Sequence, residues 1–288
     1  MTLKQLSYFL EIANCGNMSK AAKKLNIAQP PLSIQLKALE EELQTKLFDR
    51  NTRYMQLTEA GTYLYDRASQ VLELIRCTEN DLKGFQSSST GTLTLGMISS
   101  CGCAILDHKI QLFRQKFPNV HFEISEGNTF ELLDKLRKRE LDLAVIRTPF
   151  DSKDLQYIEI LNEPFCAVGI PALLSECKTD CISLTQLSAL PLIYYKRFEN
   201  LIQVAFLSQN LPNSCYCKNE DARTSLMWAR AGMGVALVPR SIIQSINVEN
   251  LSVKEILEPT FHTSICIASR KEQYLSQYAK EFLQIFSE

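Results

Sequence analysis

The sequence predicts a two-part fold: a small helical head, joined by one long helix to a larger α/β domain of alternating strands and helices. Three observations predict it. The first sixty residues show helical spacing of their apolar positions, and the next run advances in alternating steps of four and three. After a small polar stretch, Gln86-Ser87-Ser88-Ser89-Thr90-Gly91, the pattern changes to short strand-like runs separated by helical ones, the order that places helices on the faces of a parallel sheet.

In the head, Leu3, Leu6, Phe9, Leu10 and Ala13 recur at helical spacing until Cys15-Gly16-Asn17 interrupts them. A second helix from Met18 to about Leu25 turns Ala21, Ala22 and Leu25 inward, and Asn26-Ile27-Ala28 is a short turn. Gln29-Pro30-Pro31 opens a third helix, where proline's missing N–H costs nothing, and Leu32, Leu36, Leu39 and Leu43 mark its buried face. Two short helices joined by so tight a turn read as a helix-turn-helix. An ordinary three-helix subdomain has the same pattern, and spacing alone leaves both open.

From Thr58 to about Phe85 the chain reads as one helix. Leu64, Ala68, Val71, Ile75, Thr78, Leu82 and Phe85 form a heptad stripe, the spacing of a two-helix seam. Leu64, Ala68, Val71, Ile75 and Leu82 are therefore the expected dimerisation residues, and packing on the helix's own domain is the alternative. Beyond the hinge, strands are expected at Thr92–Ile98, Val120–Ser125, Leu143–Ile146, Pro164–Gly169, Leu192–Tyr195, Ser214–Lys218, Val235–Pro239 and Ser264–Ser269. Helices are expected at Ile105–Phe117, Phe130–Lys138, Leu201–Ser208 and Thr224–Ala231, with a closing helix from Tyr274 to Phe286.

Composition narrows the function classes. A chain of 288 residues, 45% hydrophobic and 22% charged, is long enough for about two globular domains and is neither disordered nor collagenous. Its longest apolar runs fall short of the ~20 residues of a membrane helix. Lys4 and Glu11 at the start are unlike a signal peptide, so a soluble cytoplasmic protein without a membrane partner is expected. The net charge of −1 advertises no nucleic-acid partner, although the first sixty residues carry eight Lys/Arg against six acids. Ten cysteines include the CxC pairs Cys101/Cys103 and Cys215/Cys217 but no CxxC knuckles, and only three histidines are present. Reduced thiols, no metal and no cofactor are expected.

The stretch Ser19-Lys-Ala-Ala-Lys-Lys-Leu25, then Ala28-Gln-Pro-Pro-Leu-Ser33, Leu39-Glu40, Leu47-Phe48-Asp49-Arg50 and Leu57-Thr58-Glu59-Ala60-Gly61, resembles the signature of LysR-type transcriptional regulators. Asp142-Leu-Ala-Val145 and Ala231-Gly-Met-Gly-Val-Ala-Leu-Val-Pro239 are also similar to that family. The resemblance implies a winged helix-turn-helix over residues 1–58, a linker and dimerisation helix over 59–86 and a hinge at 87–91. It implies an effector-binding domain over 92–288 that resembles periplasmic binding proteins. Lobe I would comprise about 92–162 and 264–288, and lobe II about 163–263. The implied protein is a bacterial, sequence-specific DNA-binding regulator and not an enzyme. Its partners would be promoter or operator DNA, a small effector and further copies of itself in a homodimer or homotetramer.

Recognition helices read base edges from near their N-termini, where Gln29, Pro30, Ser33 and Lys37 share a face opposite the leucines. Ile34 departs from relatives that carry a polar residue there. Arg50 and Arg53 bracket the expected wing and suit a narrow minor groove, while Ser19 and Lys20 suit phosphate contacts. An effector is expected at the carboxyl ends of strands between the lobes. Ser99 and Ser100, Asn128 and Thr129 open helices there and suit an anion, with Arg147 as a carboxylate clamp. Tyr195, Lys196 and Phe198 lie in the loop that faces this cleft in relatives. Plain helix caps are the other role open to Ser100 and Thr129. Two further functions stay open: thiol-based redox sensing, for which Cys177 and Cys181 flank Lys178, and a ligand-binding protein or enzyme without a DNA role.

Overall fold

The computed structural model describes residues 1–49, 55–86, 91–101, 108–176, 179–245, 248–271 and 273–287, without the side chains of 77, 80–86 and 245. The chain divides into two compact units, Met1–Ser87 with Glu272–Ser276, and Ser88–Lys271 with Gln277–Glu288. No helix of the described residues is long and apolar enough to cross a membrane.

In the first unit, α1 (Leu3–Cys15) starts in a capping box between Thr2 and Gln5 and ends at Gly16, whose φ of 58° suits a residue without a side chain. Asn17 caps α2 (Met18–Lys24) by accepting from the Lys20 N–H, and Asn26, at φ 54°, turns the chain into α3 (Gln29–Glu42). Leu6, Phe9, Ile12, Ala21, Ala22, Leu32, Leu36 and Leu39 close one core with Leu47 and Phe48. The hairpin β1 (Phe48–Asp49) and β2 (Gln56–Leu57) pairs antiparallel beside it. The buried Glu40 carboxylate accepts from the backbone N–H groups of Leu47 (2.9 Å) and Phe48 (3.4 Å), so it ties the hairpin's base to α3.

The 28-residue helix α4 (Glu59–Gln86) follows. Thr58 caps it: its hydroxyl accepts from the Gly61 N–H (2.9 Å) and donates to the Lys46 carbonyl (2.8 Å). The heptad stripe is divided between two environments. Ala68 is buried and Leu64 packs against the same core, so both serve the unit's own interior rather than an open seam. Val71 and Leu74 are exposed and Ile75 is half-buried, while the side chain of Leu82 lies outside the described residues. The physical reason is that the hairpin and α1 come back to cover α4 along its first part, where Leu64, Ala68 and Leu72 meet the core.

In the second unit the described strands form one ten-stranded sheet, with order β4-β3-β5-β12-β6-β10-β8-β9 and β11 and β7 branching from β6. The strands are β3 (Gly91–Met97), β4 (Val120–Glu126), β5 (Leu143–Arg147), β6 (Leu155–Gly169), β7 (Cys181–Ile182), β8 (Leu192–Tyr195), β9 (Cys215–Asn219), β10 (Val235–Pro239), β11 (Ser252–Ile256) and β12 (His262–Arg270). The expected parallel sheet is corrected to a mixed one. β3 runs parallel to β4 and β5, and β8 to β9 and β10, but β12 and β6 are antiparallel to their neighbours. The fifteen-residue β6 pairs with β12 along its first part and with β10 and β11 along its last, so one strand carries both lobes.

Helices α5 (His108–Lys116), α6 (Thr129–Arg137) and α11 (Gln277–Ser287) pack on the first lobe. The Tyr278 hydroxyl donates to the Thr92 carbonyl at 3.0 Å. Short helices α7 (Pro171–Leu174) and α8 (Leu184–Leu187), with α9 (Glu199–Ser208) and α10 (Ala222–Arg230), serve the second lobe. Its two cores lie on opposite faces of the sheet, one around Phe165, Tyr194 and Phe206, the other around Val168, Ile193 and Leu226. The expected helix start at Ile105 lies outside the described residues. Asp142 accepts from the Thr94 N–H (2.9 Å) and hydroxyl (2.8 Å), which pins β5 to β3. A Cβ on Gly234 would stand 2.5 Å from the Pro191 carbonyl, which explains a glycine before β10.

A Cβ on Gly61 would stand 2.1 Å from the Leu47 carbonyl. Gly61→Ala is expected to destabilise the first unit by about 1–3 kcal/mol, the usual cost of overpacking. A lower denaturation midpoint is the expected readout; an unchanged one would mean that the chain at Leu47 yields freely.

Candidate nucleic-acid interface and lobe junction

The surface of α3 is divided sharply. Leu32, Leu36 and Leu39 are sealed in the core, whereas Gln29, Pro30 and Lys37 are exposed, Ser33 is half-buried, and Ile34 is 64% exposed on the same side. The helix begins at Ala28, which supplies no side-chain cap, and Pro30 and Pro31 in its first turn have no N–H to be satisfied. Ser19 and Lys20 are exposed on α2, and the Ser19 hydroxyl donates to Gln29 Oε1 at 2.8 Å. Lys37 shares its charge with Glu41 at 3.4 Å, a surface pair that salt or a phosphate displaces easily. Arg50 and Arg53 lie outside the described residues, in the sequence between β1 and β2.

At the junction of the two lobes the expected effector residues fall into different roles. Arg147 is corrected from an open clamp to a buried ion pair. It is 0% exposed, its Nη1 donates to Glu163 Oε1 at 2.5 Å, and its Nη2 donates to the Ser241 hydroxyl (3.1 Å) and the Ser100 carbonyl (3.5 Å). The Ser241 N–H and hydroxyl both donate to the same Glu163 carboxylate. Glu163 balances the charge of the guanidinium, while its Nε–H, like that of Arg197, is buried without a hydrogen-bond partner. Phe198 is likewise corrected: it is 1% exposed and stacks edge-on against Phe165, with centroids 4.7 Å apart, inside the lobe II core. Asn128 is occupied in a capping box with Glu131, and the Ser99 hydroxyl donates to Asp221 Oδ2 at 2.7 Å across the lobes.

Ser100 and Thr129 differ from these. Both are more than nine-tenths buried, and neither hydroxyl has a hydrogen-bond partner. A buried hydroxyl without a partner costs about 1–3 kcal/mol, which sets these two apart from the capped and paired residues around them. Tyr195 is half-buried and meets Phe198 edge-on at 5.4 Å, and burial pushes its hydroxyl pKa up. Lys196 turns away and pairs with Glu220 at 3.0 Å.

Sequence reasoning missed Glu163, Asp221, Ser241 and Arg197. Arg197, between Lys196 and Phe198, reaches back from lobe II and donates to the carbonyls of Arg147 and Pro149. The Asn-x-x-Glu spacing at 128–131 is a readable capping signature. No comparable signal marks a guanidinium whose acceptors are carbonyls about fifty residues earlier.

Among the described residues, the buried thiols are poorly placed for redox chemistry. Burial pushes the Cys101 and Cys166 pKa values up to about 11 and that of Cys266 to about 12, away from the reactive thiolate. Cys215 and Cys217 are separated by a register shift in β9 and pack against the cores on opposite faces of the sheet. Cys181 is half-buried in β7, and Cys177 lies outside the described residues.

Comparison with known proteins agrees with this architecture. Residues 3–62 match the description "Bacterial regulatory helix-turn-helix protein, lysR family", and residues 86–288 match "LysR substrate binding domain". The HTH-type transcriptional regulator BsdA of Bacillus subtilis is 30% identical over 292 residues, covering 99% of this chain and 100% of its own. BudR of Raoultella terrigena is 31% identical over 296 residues, covering 99% and 100%. The crystal structure of full-length BenM, a regulator of Acinetobacter baylyi, aligns with a TM-score of 0.60 at 28% identity over 99% of this chain and 95% of that one. Full-length CbnR shares the fold, with a TM-score of 0.61 at 23% identity over 99% and 100%. A helix-turn-helix head with an exposed recognition face, followed by a two-lobed sheet domain and matched end to end by such relatives, places this chain in the LysR family of DNA-binding transcriptional regulators.

Proposed function

We propose that the chain acts in the bacterial cytoplasm as a dimeric or tetrameric regulator that reads operator DNA with α3 and answers a small anion held between its lobes. The exposed polar face of α3 supports the DNA reading. Gln29 offers an amide suited to adenine edges, Pro30 suits a thymine methyl, and Ser33 suits a base or a phosphate. Lys37, Ser19 and Lys20 supply backbone contacts, with Arg50 and Arg53 assigned to the wing. Ile34 adds an apolar contact where relatives carry a polar one, so operator preference is this chain's own.

The observation that carries the effector reading is the pair of partnerless buried hydroxyls at Ser100 and Thr129. A ligand shifts an equilibrium only if it binds one lobe arrangement better than another. The Ser99–Asp221 hydrogen bond and the Arg197 reach across the lobes are contacts that such a ligand can strengthen or break. Self-association is assigned to the exposed part of α4, with Val71, Leu74 and Ile75 as its apolar face and Leu82 continuing it.

Three outcomes are expected. Gln29→Ala with Ser33→Ala weakens specific operator binding by about 1–3 kcal/mol for each base that is no longer read, measured by fluorescence polarisation; unchanged affinity in the folded double variant refutes the recognition face. Leu74→Glu places a charge on the pairing face and yields monomers in light scattering, whereas a wild-type mass would assign Val71 and Leu74 to another contact. Thr129→Val abolishes the transcriptional response and, by removing a partnerless buried hydroxyl, leaves the fold as stable as before or more so. An intact response in that variant would reduce Thr129 to a packing residue.

A further inference from the structure

Among the described residues, Arg197 is a guanidinium at the lobe junction without an acid. Arg147 has Glu163, but no described carboxylate forms an ion pair with Arg197, and its Nε–H is buried without a hydrogen-bond partner. Its Nη2 is satisfied by two neutral carbonyls, those of Arg147 and Pro149, across the lobe boundary. The other guanidinium in its field is that of Arg147, a like charge, and burial together with that charge lowers its pKa from the usual arginine value. A half-buried cation with a sealed, unpartnered Nε–H and only neutral acceptors is one that an incoming anion favours.

Its surroundings define the rest of the ligand. The guanidinium lies 6.0 Å from the ring centroid of Phe130 and 5.6 Å from that of Phe198. Phe130 is 72% exposed, an aromatic ring left uncovered, and it follows in sequence Thr129, whose buried hydroxyl has no partner. A cation from lobe II and an exposed aromatic ring from lobe I therefore meet at one place.

We propose that Arg197 reads the charge of the effector, exchanging the carbonyls of Arg147 and Pro149 for the carboxylate of a small acid whose compact apolar body lies on Phe130. This rests on the effector reading above and narrows it to a monocarboxylate recognised from lobe II. Since the same Nη2 now links Arg197 to lobe I, occupation by an acid replaces a direct lobe-to-lobe tie with one that runs through the ligand. Neutral molecules of the same shape gain nothing from this exchange.

The test is calorimetric titration of the full-length protein with phenylacetate and its neutral counterpart phenylacetamide. The wild type is expected to bind the acid at least tenfold more tightly than the amide. Arg197→Gln is expected to lose that preference and Arg197→Lys to keep part of it. Equal binding of acid and amide, no binding of the acid, or an undiminished preference in Arg197→Gln overturns the proposal. If Arg197→Gln fails to fold by circular dichroism, the wild-type ratio and the Arg197→Lys variant decide in the same way. Thr129→Val separates this inference from its premise. Acid binding abolished in Thr129→Val but kept in Arg197→Gln leaves the effector site standing and removes Arg197 from it, and acid binding kept in both overturns both.

Discussion

The ion pair between Arg147 and Glu163 governs the larger unit. Each ion would cost several kcal/mol to remove from water alone, and the structure meets that cost with the short bond from Arg147 to Glu163 and with the Ser241 N–H and hydroxyl on the same carboxylate. The pair sits where β6 exchanges β12 for β10 as its partner, at the passage from one lobe to the other. The end of β5, the middle of β6, the turn after β10 and the carbonyl of Ser100 are thereby held to one another. Arg197 takes its position from the same place, since one of its acceptors is the carbonyl of Arg147 itself.

The smaller unit rests on backbone contacts that its sequence motif encodes. Thr58 holds both the start of α4 and the carbonyl of Lys46, Gly61 lets that helix approach the carbonyl of Leu47, and Glu40 gathers the N–H groups of Leu47 and Phe48. These ties converge on the base of the β1–β2 hairpin. The residues that keep the hairpin in place are thus distinct from those that would touch DNA, and the helix-turn-helix presents α3 with its leucines sealed and its polar face free.

The helical head is legible in the sequence because each of its helices has a strong stripe and a clear stop, as at Cys15-Gly16-Asn17 and Asn26. The long helix is legible as a helix, but the division of its stripe is not. Leu64 and Val71 have the same spacing relation and the same apolar character, and only the return of the hairpin and α1 partly covers one and leaves the other exposed. The first half of β6 is hidden because Gln156, Tyr157 and Glu159 are polar or exposed, so no buried run announces a strand. At the lobe junction, residue type is a poor guide to role. Arg147 and Arg197 are chemically identical, yet one has an acid sixteen residues ahead and the other has only carbonyls about fifty residues behind. Ser100 and Thr129 stand out because a small hydroxylic residue after a strand is a recognisable pattern, whereas the lack of a partner for each depends on packing that spacing does not record.

The Ser19–Gln29 hydrogen bond has a consequence for the grammar of any base this helix meets. With Oε1 already accepting from the serine, the amide presents Nε2 as its freer end, and that end is a donor. Such a position favours the acceptor-bearing edges of the major groove, purine N7, guanine O6 and thymine O4, over the amino group of cytosine. The hydroxyl that sets this polarity belongs to α2, not to α3. On the proposed recognition face, a letter of the operator credited to one glutamine would therefore be spelled by two helices.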